Sequence, residues 1–172
     1  MGLNFNQKIE LIEGFKDRVV SKKDILSRLE LFCRGDSVNV FNSLRRINKI
    51  SFLFNGYYYI YSEDERNKGI RKYSVFELIA VVLNKLNVRW YFGLGTADEF
   101  NKVKRQASNV IYVINNKFSK SFILDGQKII FKKAEFISEF EVYSSANRVK
   151  LNVSSVNKTL KDREFFKVKE IS

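Results

Sequence analysis

The chain has 172 residues, is 45% hydrophobic and 29% charged, and carries a formal net charge of +12. It has no histidine, which excludes histidine triads, histidine general bases and histidine metal sites. Its one cysteine, Cys33, excludes an internal disulfide and favours a reducing compartment. No run of 18 residues is apolar, and the start of the chain lacks a signal-peptide pattern, so we expect a cytoplasmic protein without membrane contacts. The positive net charge predicts that the protein binds a polyanion or an acidic partner.

Two helices are predicted at the start of the chain, followed by a short basic helix and a hairpin. The first covers 5–15 and the second 21–32, with Ser21 as its N-cap. The basic helix begins near Ser37. Asn55-Gly56 lies between two β-rich runs and favours a two-residue type I′ turn, because both central positions need positive φ.

This order predicts a winged helix-turn-helix over residues 1–62. Such a fold places the second helix of its helix-turn-helix in the major groove of DNA. Within the basic helix, residues at a spacing of three are predicted to form the buried face. They are Val38, Phe41, Leu44 and Ile47.

The other face of the basic helix is predicted to bind DNA. Arginine can bond guanine and asparagine can bond adenine with two hydrogen bonds each, whereas lysine contacts phosphate. Two lysines that open the preceding helix and the hairpin asparagine complete the set. The predicted DNA-binding residues are Lys22, Lys23, Asn39, Asn42, Ser43, Arg45, Arg46, Lys49 and Asn55. An ordinary solvated helix face is the alternative interpretation of the same residues.

The rest of the chain is predicted to be a mixed α/β domain, which makes the protein α+β. Residues 63–72 are polar and charged and are predicted to be a linker, so the second domain covers 73–172. A helix apolar all round its circumference starts at Ser74 and is predicted to be buried. Strands and two further helices are predicted after it. They are the strands 88–92, 110–114, 121–124, 128–132 and 148–153, and the helices 96–107 and 154–163.

No cofactor or metal is predicted for this second domain. The stretch Gly93-Leu94-Gly95-Thr96 follows a strand but lacks the third glycine of a dinucleotide fingerprint and the Gly-Lys-Ser/Thr of a P-loop. A tight turn with Thr96 as a helix cap is the preferred interpretation. The acidic residues of the domain show no acid-x-Lys arrangement of a nuclease. Residues 71–172 nevertheless hold 19 basic and 10 acidic residues, so most of the excess charge lies outside the predicted winged helix.

Three stretches of the chain resemble the AbiEi family, the antitoxin and repressor of type IV toxin–antitoxin systems. They are LRRINKISFLFNGYYYIY (44–61), YFGLGTADEF (91–100) and VSSVNKTLKD (153–162). The third departs from the family at Asn157-Lys158, where Glu-Arg is usual, and at Lys161, where an apolar residue is usual. The resemblance implies a repressor that binds inverted repeats in its own promoter. It also implies a second domain that assists DNA binding or antagonises a nucleotidyltransferase-like toxin.

We therefore predict a sequence-specific regulator that binds double-stranded DNA, is not an enzyme and needs no cofactor. Two other classes of protein fit the composition. One is a metal-dependent nuclease that holds a cation with carboxylates of the second domain. The other is an adaptor whose basic domain binds an acidic protein through a winged-helix fold.

Overall fold

A computed structural model of the protein describes residues 4–33, 35–103, 108–135 and 137–171. It divides into two compact units, residues 1–74 and 75–172. Seven helices and nine strands lie within the described ranges, and the strands form two sheets, so the α+β class is confirmed. None of the described helices is both long and apolar enough to cross a membrane.

The first unit combines four helices with a small antiparallel sheet. Its elements are α1 (Phe5–Glu13), β1 (Val19–Ser21), α2 (Lys22–Cys33), α3 (Ser37–Arg46), β2 (Ile50–Phe52), β3 (Tyr57–Ile60) and α4 (Glu63–Lys68). The strand order is β1-β3-β2, with β3 in the centre. The helices predicted over 5–15 and 21–32 are confirmed to within two residues. Strand β1 was not predicted, because three residues are too few to show an alternating pattern.

The predicted hairpin forms as the Asn-Gly pair requires. Asn55 and Gly56 have φ values of 50° and 77°, and the Tyr57 N–H donates to the Phe54 carbonyl at 3.0 Å. The Leu53 N–H also donates to the Tyr57 carbonyl at 3.0 Å, so two residues of one strand oppose one of the other, as in a β-bulge. The bulge breaks the alternation of the strand, and Leu53 and Phe54 are both buried.

The core of the first unit lies where the three long helices meet one face of this sheet. Apolar side chains from α1, α2, α3 and the strands form a single cluster there. It comprises Ile12, Val20, Ile25, Leu29, Val40, Phe41, Leu44, Ile50, Tyr58 and Ile60. These residues fix how α3 is oriented, and they therefore decide which of its side chains reach the surface.

Residues 63–72 were predicted as a linker but belong to the first unit. Ser62 and Glu65 form a capping box at the start of α4. The Glu65 side chain is buried and accepts hydrogen bonds from the Tyr59 hydroxyl and, at 2.7 Å, from the Lys72 N–H. The Arg71 guanidinium lies 5.0 Å from the Tyr59 ring centroid. This charged segment therefore packs against the side chain of Tyr59, and the division between the units falls after Ser74.

The second unit is built on a six-stranded mixed sheet. Its elements are α5 (Val75–Lys85), β4 (Trp90–Phe92), α6 (Leu94–Phe100), β5 (Val110–Asn115), β6 (Lys120–Leu124), β7 (Gln127–Lys133), β8 (Phe140–Ser144), β9 (Lys150–Ser154) and α7 (Val156–Ile171). The strand order is β6-β7-β5-β4-β9-β8. The predicted strands, the buried helix α5 and the final helix are confirmed. The helix predicted over 96–107 ends at Phe100, and residues 104–107 lie outside the described ranges. The edge strand β8 was not predicted.

Candidate nucleic-acid interface

Helix α3 has a buried face and a polar, exposed face. Ser37, Val40, Phe41 and Leu44 are buried. Val38, which was predicted to be buried with Phe41 and Leu44, is 58% exposed. A spacing of three falls short of a full turn by about 60° at each step, so four such residues span about half the circumference. The core covers a narrower stripe, and Val38 lies outside it.

The exposed face of α3 carries no acidic side chain. It presents Val38, Asn39, Asn42, Arg45 and Arg46. Within the part of the chain that the structure describes, no hydrogen bond or ion pair engages the guanidinium groups of Arg45 and Arg46. Two cations in the last turn also favour the helix through its dipole, which is the structural alternative to binding.

A shallow groove of about 500 Å³ runs along the C-terminal half of α3. It lies between the helix and strand β2. Its lining residues are Asn42, Arg45, Arg46, Asn48, Ile50, Ser51 and Phe52. The groove therefore combines two arginines and two amides with an aromatic ring that is 52% exposed. Such a combination suits a polyanion that also offers flat, partly apolar groups, as DNA does.

Two of the predicted DNA-binding residues, Asn39 and Ser43, form hydrogen bonds at or within the helix. The Asn39 amide donates to a carboxylate oxygen of Asp36 at 2.9 Å, and Asp36 also pairs with Lys8 at 3.7 Å. The Ser43 hydroxyl donates to the Asn39 carbonyl at 2.9 Å. Asn42 has no such partner among the described residues. Of the two asparagines on this face, Asn42 is the one whose amide is available to a base.

Lys49 was predicted to contact phosphate, and the structure contradicts this. Its side chain is fully buried, and its ammonium group pairs with the carboxylate of Glu13. The cause is the end of α3, where Asn48 adopts a left-handed φ of 54°. The Asn48 N–H donates to the Arg45 carbonyl and the Lys49 N–H to the Leu44 carbonyl, at 3.1 and 2.9 Å, which is a Schellman motif. The residue after the left-handed position packs back onto the helix, so Lys49 points inward.

The remaining three predicted residues lie near the hairpin turn. Lys22, Lys23 and Asn55 are all exposed. The Lys22 N–H donates to the Gly56 carbonyl at 2.7 Å, so the start of α2 is held against the turn. The Lys22 ammonium lies 5.4 Å from the centroid of the Phe41 ring. The turn and the start of α2 thus form one basic corner of the first unit.

The link between α2 and α3 is fixed by Glu30, which the sequence analysis did not single out. Its carboxylate accepts a hydrogen bond from the Gly35 N–H at 3.0 Å and another from the Ser37 hydroxyl. Both bonds lower the pKa of Glu30, and the bond from Ser37 has the larger effect. In the sequence, the only sign of this role is that Glu30 lies five residues before Gly35, in the turn between the two helices.

In the second unit, residues of the stretches 91–100 and 153–162 meet in the interior. The Tyr91 hydroxyl donates to Asp162 at 2.9 Å, and Lys158 pairs with Asp162 at 2.9 Å. Arg163 pairs with Asp98. Burial, together with the nearby Asp162 carboxylate, raises the pKa of Tyr91. These polar groups satisfy one another, so their evident role is to hold β4, α6 and α7 together.

The glycine-containing turn after β4 has a packing role. A Cβ on Gly93 would lie 2.6 Å from a side-chain carbon of Ile114, so any larger residue would force the Ile114 side chain to shift. Thr96 does not cap α6 as predicted. Its hydroxyl accepts a hydrogen bond from the Tyr112 N–H at 2.8 Å and so ties the helix to β5.

Within the described residues, no group of three or more cysteine and carboxylate side chains is placed to hold a metal ion. No protein-family model matches the chain, and no curated protein matches it in sequence.

Proposed function

We propose that the protein is a sequence-specific regulator that binds double-stranded DNA through the exposed face of α3. The observation that carries the proposal is the acid-free face of this helix, where Asn42, Arg45 and Arg46 have no partner among the described residues. Arginine and asparagine are the side chains that distinguish guanine and adenine in the major groove. A face that only needed to be solvated would not require this selection of side chains.

The order of elements in the first unit supports the proposal. It runs α1-β1-α2-α3-β2-β3, with a sheet order of β1-β3-β2. We expect this order in a winged helix-turn-helix, with α3 as the recognition helix and the Asn55-Gly56 hairpin as the wing. The exposed Lys22 and Lys23 next to that hairpin are suited to phosphate contacts.

The resemblance to the AbiEi family supports a more specific proposal about the biological role of the protein. The protein would be the antitoxin and autorepressor of a type IV toxin–antitoxin system in the cytoplasm, with inverted repeats in its own promoter as the operator. The second unit would then meet a nucleotidyltransferase-like toxin. Because Tyr91, Asp98 and Asp162 are occupied within the fold, a toxin would contact other residues of this unit.

The proposal is tested by fluorescence-anisotropy titration of the full chain. The duplexes are one selected from a random pool by the protein, the DNA upstream of its own gene, and a scrambled version of each. We expect preference for the unscrambled duplexes by at least about a thousandfold, and affinity that falls steeply with salt because phosphate contacts release counterions. Equal, weak binding to all duplexes would contradict the proposal.

A second arm separates the regulator from a nuclease. The selected duplex is incubated with the protein and Mg²⁺ or Mn²⁺, and the recovered DNA is examined for cleavage. We expect intact duplex. Cleavage that a carboxylate substitution abolishes would favour the nuclease instead.

A further inference from the structure

Val38 is an apolar side chain in the middle of a polar helix face. It is 58% exposed, although it was expected in the core. At 100° per residue it lies about 40° from Asn42 and about 20° from Arg45 around the helix axis, so the three share one stripe. Val is also a weaker helix former than Ala or Lys, so an exposed helix position does not by itself favour it.

We propose that Val38 contacts the 5-methyl group of a thymine in the major groove and thereby helps to select the DNA sequence. This inference rests on the proposed function. The thymine methyl is the one apolar group that a base pair presents in that groove, and apolar side chains recognise it by contact. Val38 is the apolar side chain that the structure places on the stripe of Asn42 and Arg45.

The spacing along the helix gives the length of the sequence that is read. Arg45 lies seven positions after Val38, which corresponds to about 10 Å of helix at 1.5 Å per residue. Base pairs are stacked about 3.4 Å apart, so this stripe spans about three base-pair steps. The selected DNA should therefore contain a thymine, an adenine and a guanine within about four consecutive base pairs, with the thymine contacted by the N-terminal end of α3.

The partner of Asn39 strengthens the assignment. Asn39 is the other exposed side chain in the first turn of α3, and its amide is bonded to Asp36. The first turn therefore offers one side chain that is free to meet a base, and that side chain is apolar. An amide at this end would have favoured adenine, whereas a valine favours a methyl group.

Replacement of thymine by uracil tests the contact because uracil lacks only the 5-methyl group. Each thymine of the selected duplex is replaced in turn, and affinity is measured for the wild-type chain and for Val38→Ala. We expect one position at which uracil weakens wild-type binding by about fourfold, the value of one buried methyl-sized group. At that position the Val38→Ala variant should bind the uracil duplex as tightly as it binds the thymine duplex.

Leu31→Ala is the matched control. Leu31 is an apolar residue that is 76% exposed, on α2 instead of α3, and its removal should leave the uracil effect at fourfold. Val38→Ala should fold like the wild type, since the side chain is exposed and Ala favours helix; circular dichroism checks this.

If Val38→Ala weakens binding to the thymine and uracil duplexes equally, or not at all, the inference is overturned while the proposed function stands. If the wild-type chain prefers no sequence, both are overturned.

Discussion

Helices α3 and α7 are both basic, but their cations are used differently. On α7, Lys158 pairs with Asp162, Lys161 with Glu139 and Arg163 with Asp98. On α3, the exposed Arg45 and Arg46 have no acidic neighbour on their helix and no partner among the described residues. Most of the excess charge lies in residues 71–172, but these three cations of α7 are paired, whereas the two arginines of α3 are not. Paired cations stabilise a fold, and unpaired cations on one face are available to a ligand.

The largest effect on stability is expected at the buried pair of α7. Asp162→Ala removes the acceptor of the Tyr91 hydroxyl and leaves the Lys158 ammonium, whose side chain is 14% exposed, without its carboxylate. Breaking a pair of this kind costs about 3 kcal/mol of unfolding free energy. Chemical denaturation measures it. Lys161→Ala is the control, because that pair is more than half exposed on the lysine side and should contribute less than about 0.5 kcal/mol. Equal losses in both variants would contradict the distinction between buried and exposed pairs.

The next largest effect is expected at Lys49, the one predicted DNA contact that the structure places in the interior. Lys49→Ala removes the ion pair with Glu13 and the packing of the aliphatic stem, and should cost about 2 kcal/mol, less than a fully buried pair since Glu13 is 37% exposed. Lys49→Met keeps the stem and should cost less. Both variants, measured where they are folded, should bind the selected duplex as the wild type does. If a folded Lys49→Met variant lost affinity tenfold, Lys49 would be a DNA contact after all, and this prediction would be contradicted.

A smaller effect is expected at Glu65. Burial raises the pKa of Glu65, but hydrogen bonds from Tyr59, Ser62 and Lys72 outweigh burial and lower it below its ordinary value of 4.5. The carboxylate therefore stabilises the fold above pH 4.5, and this stabilisation is lost as the pH falls through the lowered pKa. Glu65→Gln should cost about 1 kcal/mol at neutral pH and remove part of the acid sensitivity of the unfolding free energy. Glu63→Gln, exposed on the same helix, should leave the acid sensitivity unchanged.

Local signals in the sequence predicted much of the fold. The pair Asn55-Gly56 adopts positive φ in a tight turn between strands, as predicted, and Asp125-Gly126 does the same between β6 and β7. The apolar circumference of α5 predicted its burial. Strand β8 was missed because most of its residues are exposed at an edge of the sheet, which leaves no alternation to detect.

The errors at the candidate site have a different cause, since they depend on contacts that are distant in sequence. Lys49 is buried because Glu13 supplies its counter-charge from 36 residues away. A local signal was nevertheless present. Helix α5 ends in the same way, with Asn87 at a left-handed φ of 51° and the following Val88 buried. An asparagine after the last helical turn thus predicts that the next residue points inward, whatever its type.

We propose that DNA binding depends on the exposed face of α3 and not on the charge of α7. The most direct test measures unfolding free energy and affinity for the selected duplex in two variants. Arg45→Ala with Arg46→Ala should lower stability by no more than about 1 kcal/mol, because each arginine loses a helix-dipole interaction of about 0.3–1 kcal/mol and Ala offsets part of that loss by favouring helix. The variant should lower affinity at least about tenfold, because each good base contact contributes about 1–3 kcal/mol. Arg163→Ala, which removes the partner of buried Asp98, should lower stability and leave the affinity unchanged. Wild-type affinity in the α3 variant, or an equal loss of affinity in Arg163→Ala, would contradict the claim.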